Sequence, residues 1–452
     1  MTDETSPPPN RLNKKGQPRR VAITTLGCKV NQYESASVVS EFANGGVEVV
    51  PFSEAADIYI INTCAVTAKA AAQSRQCIRR ALRANPEARF VVTGCYAQVA
   101  SQEILAMTKQ PICLVGNANK HRLAELALQP GSCDPATNMG AIGEAKEICP
   151  LPVRRYSDRT RAHIKVQDGC NNFCSYCIVP YARGRSRSLS VDKVLEQAAV
   201  FVEEGYRELV LTGIHLGNYG YDFTPPVALS FLVKRLLLEF PTTRLRISSL
   251  EPTEISRDLL DLMASSETVM PHLHIPLQSG DNGILRKMNR HYTSEEFAAI
   301  VWESVKRLPN IAIGVDVLVG FPGEDEAAFK RTELLLEDLP LAYLHVFPYS
   351  RRPGTVAAGM PEQISKQVKE ERVALLRELD HKKRNIFYGR FLGQTCRVLV
   401  ENGRNSFQLL KGFSEQYIPV YFAGSAELVN SVVDVKVERL VDRNVFGRIV
   451  AN

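Results

Sequence analysis

The chain has 452 residues and a mass of 50.2 kDa, too long for one ordinary hydrophobic core, so two or three domains are expected. A hydrophobic fraction of 45% excludes wholesale disorder, and no run of about eighteen apolar residues exists to span a membrane. The net charge of +6 permits a polyanionic partner without requiring one.

Residues 1–19 are Pro-rich, polar and basic, with no apolar core of the kind that leads a secreted protein. They read as a disordered arm, and the expected location is cytoplasmic. Within 20–128, short apolar runs at 21–26, 58–61, 90–93 and 112–115 alternate with stretches of helical spacing at 35–43, 65–82 and 98–107. Strands that are apolar throughout and alternate with helices predict a parallel sheet covered on both faces. Residues 129–160, rich in Gly, Pro and polar side chains, predict a linker. A second series follows over 161–360. Its strands are expected at 163–166, 209–211, 245–248, 272–275, 313–319 and 343–347, with helices at 191–204, 230–240, 294–307 and 326–336. Six βα repeats predict a partial (βα)6 barrel. The charged stretch 361–385 predicts a connecting helix. From 386 to 452 the pattern turns β-rich, with runs at 396–401, 407–410, 417–422 and 432–440, and a small five-stranded barrel fits. From Arg384 to Asn452 nine Lys/Arg stand against six Asp/Glu, a balance shared by nucleic-acid-binding modules and by ordinary capping domains. The expected fold class is therefore α/β: an N-terminal parallel-sheet domain, a central partial barrel and a C-terminal small β-barrel.

The 11 cysteines are an odd number, and all but Cys396 lie between Cys28 and Cys177. Without an export signal, metal or redox chemistry is a better reading than disulfides. Cys170, Cys174 and Cys177 form C-x3-C-x2-C directly after the first strand of the second series. Three thiolates on one loop hold three irons of a [4Fe–4S] cube and leave the fourth open. S-adenosylmethionine (SAM) can chelate that iron through its amino and carboxylate groups. A zinc knot would want a fourth ligand, and none lies nearby in sequence. Cys28, Cys64 and Cys95 each stand just past an expected strand, and parallel strands bring such positions to one edge. Gly27 and Gly94 allow tight turns there. Buried cysteines acting as small apolar residues would explain one such position better than three. Cys77, Cys113, Cys133, Cys149 and Cys396 read as structural.

The pattern C-x3-C-x-aromatic-C, with Tyr176 as the aromatic, resembles the radical SAM superfamily, and the IVPYARGRSRS that follows resembles its methylthiotransferases. That resemblance implies a catalytic barrel with Tyr176 near the SAM adenine. It implies a second [4Fe–4S] cluster on Cys28, Cys64 and Cys95, and a TRAM-like RNA-binding barrel at the carboxyl end. It also implies an external electron donor such as flavodoxin or ferredoxin. LGCKVNQYES, INTCAVT, TGIHLGNYG, RISSLEP and HVFPYSRRPGT resemble the branch that adds a 2-methylthio group to N6-threonylcarbamoyladenosine at position 37 of tRNA. The isopentenyladenosine and ribosomal-protein aspartate branches are the alternatives. A non-catalytic iron–sulfur carrier or RNA-binding module is the rival class, and a carrier would close each cluster with four cysteines.

Thr212, Gly213, Ser249, Glu251 and Gln278 sit at expected strand ends and are assigned to SAM. Arg183, Arg185 and Arg187 are either contacts for tRNA phosphates or a substrate carboxylate, or a solvated basic loop. Arg75, Arg79, Arg80 and Arg83 read as a solvated helix face. His272 and His274 share one side of a strand, as a substrate contact or a hydrogen-bonded core pair. Asp316 reads as core, and residues 320–323 as a turn, because no Walker Lys follows them.

Overall fold

The computed structural model describes residues 12–13, 16–43, 45–129, 138–156, 159–405 and 407–450, so most of the amino-terminal arm, Cys133 and the last two residues lie outside it. Five parallel strands form the first sheet, in the order Glu48–Val50, Arg20–Thr25, Ile58–Thr63, Arg89–Gly94, Ile112–Val115. The central strand Ile58–Thr63 is buried along its whole length, hence its unbroken apolar run. The edge strand Glu48–Val50 escaped the sequence pattern because it has three residues, two of them exposed. Helix Lys29–Ala43 starts earlier than its apolar spacing predicts, because Asn31 and Glu34 are buried polar residues in its first turns. Helix Ala68–Ala84 is capped by Thr67, whose hydroxyl accepts from the Ala70 amide. The expected helix 98–107 is instead two short helices, Cys95–Val99 and Ser101–Leu105, because Ala100 leaves helical dihedrals (φ −138°, ψ 36°).

Residues 138–156 form a packed strap across both α/β units. Ile148, Leu151, Val153 and Tyr156 are buried. The Gln197 amide donates to the Val153 carbonyl at 2.6 Å and accepts from its N–H at 3.0 Å.

The second unit is an open arc of six parallel strands. Arg161–Lys165, Glu208–Thr212 and Arg244–Ile247 form one half, and His272–His274, Ala312–Val319 and Tyr343–Pro348 the other. A parallel bridge from Leu245 to Val269 and the Leu250 N–H donating to the His274 carbonyl at 3.0 Å join the halves. Ala162, Ile164, Leu209, Leu245, Leu273, Ile313, Val315 and Leu344 pack against the helices in one core. Alternation then turns Arg161, His163, Lys165, Arg246, His272, His274, Asp316, Tyr343 and His345 to the inner face, so the lumen is polar. This is the expected partial (βα)6 barrel.

Helix Lys366–Gly389, capped by Ser365, leads to a closed five-stranded barrel. Its strands are Thr395–Arg404, Leu410–Ser414, Pro419–Phe422, Val432–Val441 and Asn444–Ile449. The last was not resolved as a separate run in the sequence. It follows a tight turn at Asp442 and Arg443, both at positive φ. The turn before Pro419–Phe422 reaches the floor of the α/β barrel. The Tyr417 ring lies 5.1 Å from the His272 ring, and the guanidinium groups of Arg161 and Arg246 cover it at 4.9 and 4.8 Å. Phe387, Tyr388, Phe391 and Cys396 share one core with Ala312, Ala342 and Tyr343. The small barrel therefore completes the floor of the larger one. Deleting residues 386–452 is expected to strip this core and lower the melting temperature of the remainder in calorimetry. A truncated chain that melts with the full chain would contradict the shared core. Among the described residues, no helix is long and apolar enough to cross a membrane.

Candidate functional site

The C-x3-C-x2-C loop follows strand Arg161–Lys165 and a two-residue strand Gln167–Asp168, at the carboxyl end of the barrel. Each of its three sulfurs accepts one N–H. The Asn172 amide donates to Cys170 Sγ at 3.5 Å, Arg290 Nη1 to Cys174 Sγ at 3.4 Å, and the Val179 amide to Cys177 Sγ at 3.4 Å. Arg290 also pairs with Glu251 and donates to the Tyr292 hydroxyl at 3.1 Å. His215 Nδ1 is 3.5 Å from Cys170 Sγ, and its Nε2 is 2.5 Å from Glu254. Burial pushes the Cys177 thiol up to about 12, and the Cys174 and Cys170 thiols add to the rise. Three thiolates this close oppose one another unless a cation neutralises them. The set thus fits a metal cluster with three protein ligands and sulfur-directed donors.

The second trio lies at the carboxyl ends of three neighbouring strands of the first sheet, as the sequence predicts. Gly27 and Gly94 both have φ +94°, and a Cβ would stand 2.7 Å from Cys64 Sγ at Gly27 and 2.3 Å from the Thr63 carbonyl at Gly94. Only glycine fits either turn. Cys64 and Cys95 are buried and Cys28 is exposed. Burial pushes the Cys64 thiol up to about 11, with Cys95 and Cys28 contributing. Crowding by protein atoms raises Cys28 as well, with Cys95 adding to it. Backbone amides at Asn31 and Val66 serve Cys28 and Cys64, and Arg183 Nε donates to Cys95 Sγ at 3.4 Å. The donor set again fits a cluster held by three thiolates.

Arg183 links the two trios. It ends the short helix Val179–Arg183 that follows Cys177, and it is fully buried. Its guanidinium donates to Glu34 at 2.6 and 3.0 Å, to Asn31 at 2.5 Å and to Asp168 at 3.2 Å. Glu34 also pairs with Lys120, and with Lys165 at 3.3 Å. Burial alone would raise the Glu34 carboxyl, but the Arg183, Lys120 and Lys165 cations hold it well below the usual range. Arg187, also buried, donates to the Arg183 carbonyl at 2.8 Å. Of the three arginines in this loop only Arg185 is exposed, stacked over Phe173 at 4.7 Å. Arg183 and Arg187 are thus neither solvated nor open to a polyanion.

The other sequence-derived residues gather around the first loop. Thr212 Oγ1 is 3.4 Å from Ser248 Oγ, and Gly213 lies against the Gln167 side chain. Ser249 Oγ is 2.7 Å from His274 Nδ1. Glu251 faces Arg290, and Gln278, at φ +67°, donates its N–H to the Asp316 carbonyl at 2.9 Å. Tyr176 meets Phe321 edge-on at 6.4 Å, so the 320–323 turn, with no phosphate loop, supports the aromatic. Arg79, Arg80 and Arg83 are exposed as expected, whereas Arg75 donates to the Tyr96 hydroxyl at 3.1 Å. His215, Glu254, Arg290 and Glu34 were not singled out from sequence.

Two family models match the chain: Uncharacterized protein family UPF0004 over residues 20–116 and Radical SAM superfamily over residues 164–336. The chain is 38% identical to Threonylcarbamoyladenosine tRNA methylthiotransferase MtaB of Bacillus subtilis, over 92% of this chain and 93% of that protein. It is 32% identical to tRNA-2-methylthio-N(6)-dimethylallyladenosine synthase of Fusobacterium nucleatum, over 96% of this chain and 100% of that protein. Among solved structures, the radical S-adenosylmethionine methyltransferase TsrM from Kitasatospora setae shares the fold, with a TM-score of 0.54 at 15% identity over 75% of this chain and 74% of that one. Membership in the radical SAM superfamily brings a [4Fe–4S] cluster and SAM. With both family regions present in order and relatives matched over nearly their full length, the chain belongs to the radical SAM family of tRNA methylthiotransferases.

Proposed function

We propose that this protein adds a methylthio group to C2 of N6-threonylcarbamoyladenosine in tRNA. The observation that carries the reading is the pair of cysteine trios, joined through Arg183, in a chain more similar to the threonylcarbamoyladenosine enzyme (38%) than to the dimethylallyladenosine one (32%). C2 of adenine is an unactivated C–H that acid–base chemistry serves poorly. When bound, the [4Fe–4S] clusters and SAM supply one-electron chemistry at that carbon and the sulfur and methyl to be transferred.

The chain's own residues then have separate tasks. Cys170, Cys174 and Cys177 hold the cluster that faces SAM, while Arg290 and two backbone amides direct donors at their sulfurs and His215 lies beside Cys170. Thr212, Gly213, Ser249, Glu251 and Gln278 form the wall for SAM, with Tyr176 against its adenine. Cys28, Cys64 and Cys95 hold a second [4Fe–4S] cluster. The small C-terminal barrel, TRAM-like, meets tRNA through its basic surface, where exposed Phe407 offers a ring for stacking near exposed Arg404. Electrons come from an external donor such as flavodoxin or ferredoxin, and the setting is cytoplasmic.

The test is nucleoside analysis of tRNA from cells lacking this protein. The 2-methylthio form of threonylcarbamoyladenosine is expected to vanish while the unthiolated nucleoside accumulates. An unchanged profile for that nucleoside, with loss of the methylthio isopentenyl form instead, assigns the other branch.

A further inference from the structure

The barrel lumen holds a side-chain cluster that the proposed reaction does not use. Three neighbouring parallel strands contribute to it. Asp316 and His345 are register partners, and His274 pairs with Gly314, two residues before Asp316. Leu273, Ile313, Val315 and Leu344 point to the helix-side core, so His274, Asp316 and His345 share the inner face. His274 Nε2 stands 3.2 Å from Asp316 Oδ1, and His345 Nδ1 stands 3.4 Å from the same oxygen. The three candidate ligand atoms lie within 4.8 Å of one another. The Tyr343 ring stacks on the His274 imidazole and lies tilted against that of His345, with centroids 6.1 and 5.0 Å away, and walls the cluster on one side.

Two features set the cluster apart from an ordinary ion pair. The buried His274 Nε2 has no hydrogen-bond partner, although the Asp316 oxygen is within reach. The other nitrogen of the same ring lies 2.7 Å from Ser249 Oγ. In the tautomer with the proton on Nδ1, facing Ser249, Nε2 offers its lone pair on the side of the carboxylate. That lone pair and the Asp316 carboxylate are then two ligand groups for one cation.

We propose that His274, Asp316 and His345 form a mononuclear site for a divalent transition-metal ion, separate from both cysteine trios. Two imidazoles and one carboxylate suit Zn2+ or Fe2+. Ligand atoms 3.2 and 3.4 Å apart match the edges of a coordination shell with bonds of about 2.0–2.2 Å. Ser249 supports the His274 ring from behind, as outer-shell partners do. Three protein ligands leave a position open toward the lumen, which marks a site for a further ligand and not a closed structural one. The exposed side chain of His345 gives the ion a route in.

Co2+ is the probe, because its ligand-field bands are visible and its preferences resemble those of Zn2+. The full chain is prepared anaerobically with its iron–sulfur clusters reconstituted and its iron counted, so that the cysteine thiols are occupied. Wild type is expected to take up about one Co2+ beyond its iron, with ligand-field bands that added Zn2+ bleaches. His345→Ala and Asp316→Asn should each weaken uptake more than about 10-fold, and Ser249→Ala about 10-fold. Unchanged iron content and circular dichroism identify the folded variants, and the exposure of His345 makes its replacement mild. Equal Co2+ uptake by wild type and both ligand variants, or no bands in wild type, would overturn the site. The readout is metal uptake, so it stands or falls apart from the tRNA reaction.

Discussion

Replacing Cys174 by Ala is expected to remove about four irons from the protein and abolish reductive cleavage of SAM, because two thiolates hold a cube poorly. The same is expected for Cys170 and Cys177, since each sulfur would bind one iron of the cube and no fourth cysteine stands in the loop. Replacing Cys28, Cys64 and Cys95 together should have a different outcome. About four irons remain, SAM is still cleaved to 5′-deoxyadenosine, and no methylthio product forms on tRNA. The contrast arises because the two trios sit on separate sheets, with Arg183 donating to Cys95 and pairing with Asp168 between them. Iron analysis and chromatography of 5′-deoxyadenosine read both sets of variants. A Cys174→Ala protein with full iron that still cleaves SAM removes the loop from its assigned role. An amino-terminal triple variant that still makes methylthiolated tRNA makes those cysteines structural.

The second large effect concerns Glu34. Its carboxylate is 2% exposed and is the common partner of Lys120, Lys165 and Arg183. Glu34→Gln leaves its three buried cations, and the buried Arg187 beside them, with Asp168 as the remaining carboxylate of the network. Stranding buried charge in this way costs about 3–5 kcal/mol. Because Lys165 and Arg183 belong to the barrel and Glu34 to the first sheet domain, the loss falls on the interface between them. Thermal unfolding should show a clear drop for Glu34→Gln. The double variant Glu34→Gln/Lys120→Met should recover part of it, since one stranded cation is removed. A drop that the second substitution deepens instead would mean that the charges act independently and that the network is not a unit.

Some of this was legible in the sequence and some was not, for physical reasons. The SAM loop is local, so its spacing is visible without any fold. The second trio is not local, but fully apolar strands reveal a parallel sheet, and that sheet predicts convergence at one edge. The ionic hub left no such trace. Glu34 stands in KVNQYESAS, just ahead of the apolar spacing that predicts a helix over 35–43, and its partners are 86, 131 and 149 residues away. Arg183 and Arg187 look like Arg185 in a basic run, yet a short helix and the turn at Gly184 bury two and expose one. Arg290 reaches Cys174 and Glu251 across 116 and 39 residues, a distance no motif spans. His345 drew no notice because a lone histidine in an apolar strand has no periodicity to betray its register with Asp316. The C-terminal barrel was legible as a unit, but its grip on the larger barrel floor through Tyr417 was not.

The most direct measurement of the central claim uses reconstituted full-length protein with SAM, a reductant and two tRNA preparations. One carries N6-threonylcarbamoyladenosine and the other N6-isopentenyladenosine. After digestion, mass spectrometry should find a methylthio group in place of hydrogen on the threonylcarbamoyl nucleoside alone, in wild type and not in the Cys28, Cys64, Cys95 triple variant. A methylthio group on the isopentenyl nucleoside instead, or an equal yield from the triple variant, would contradict the account.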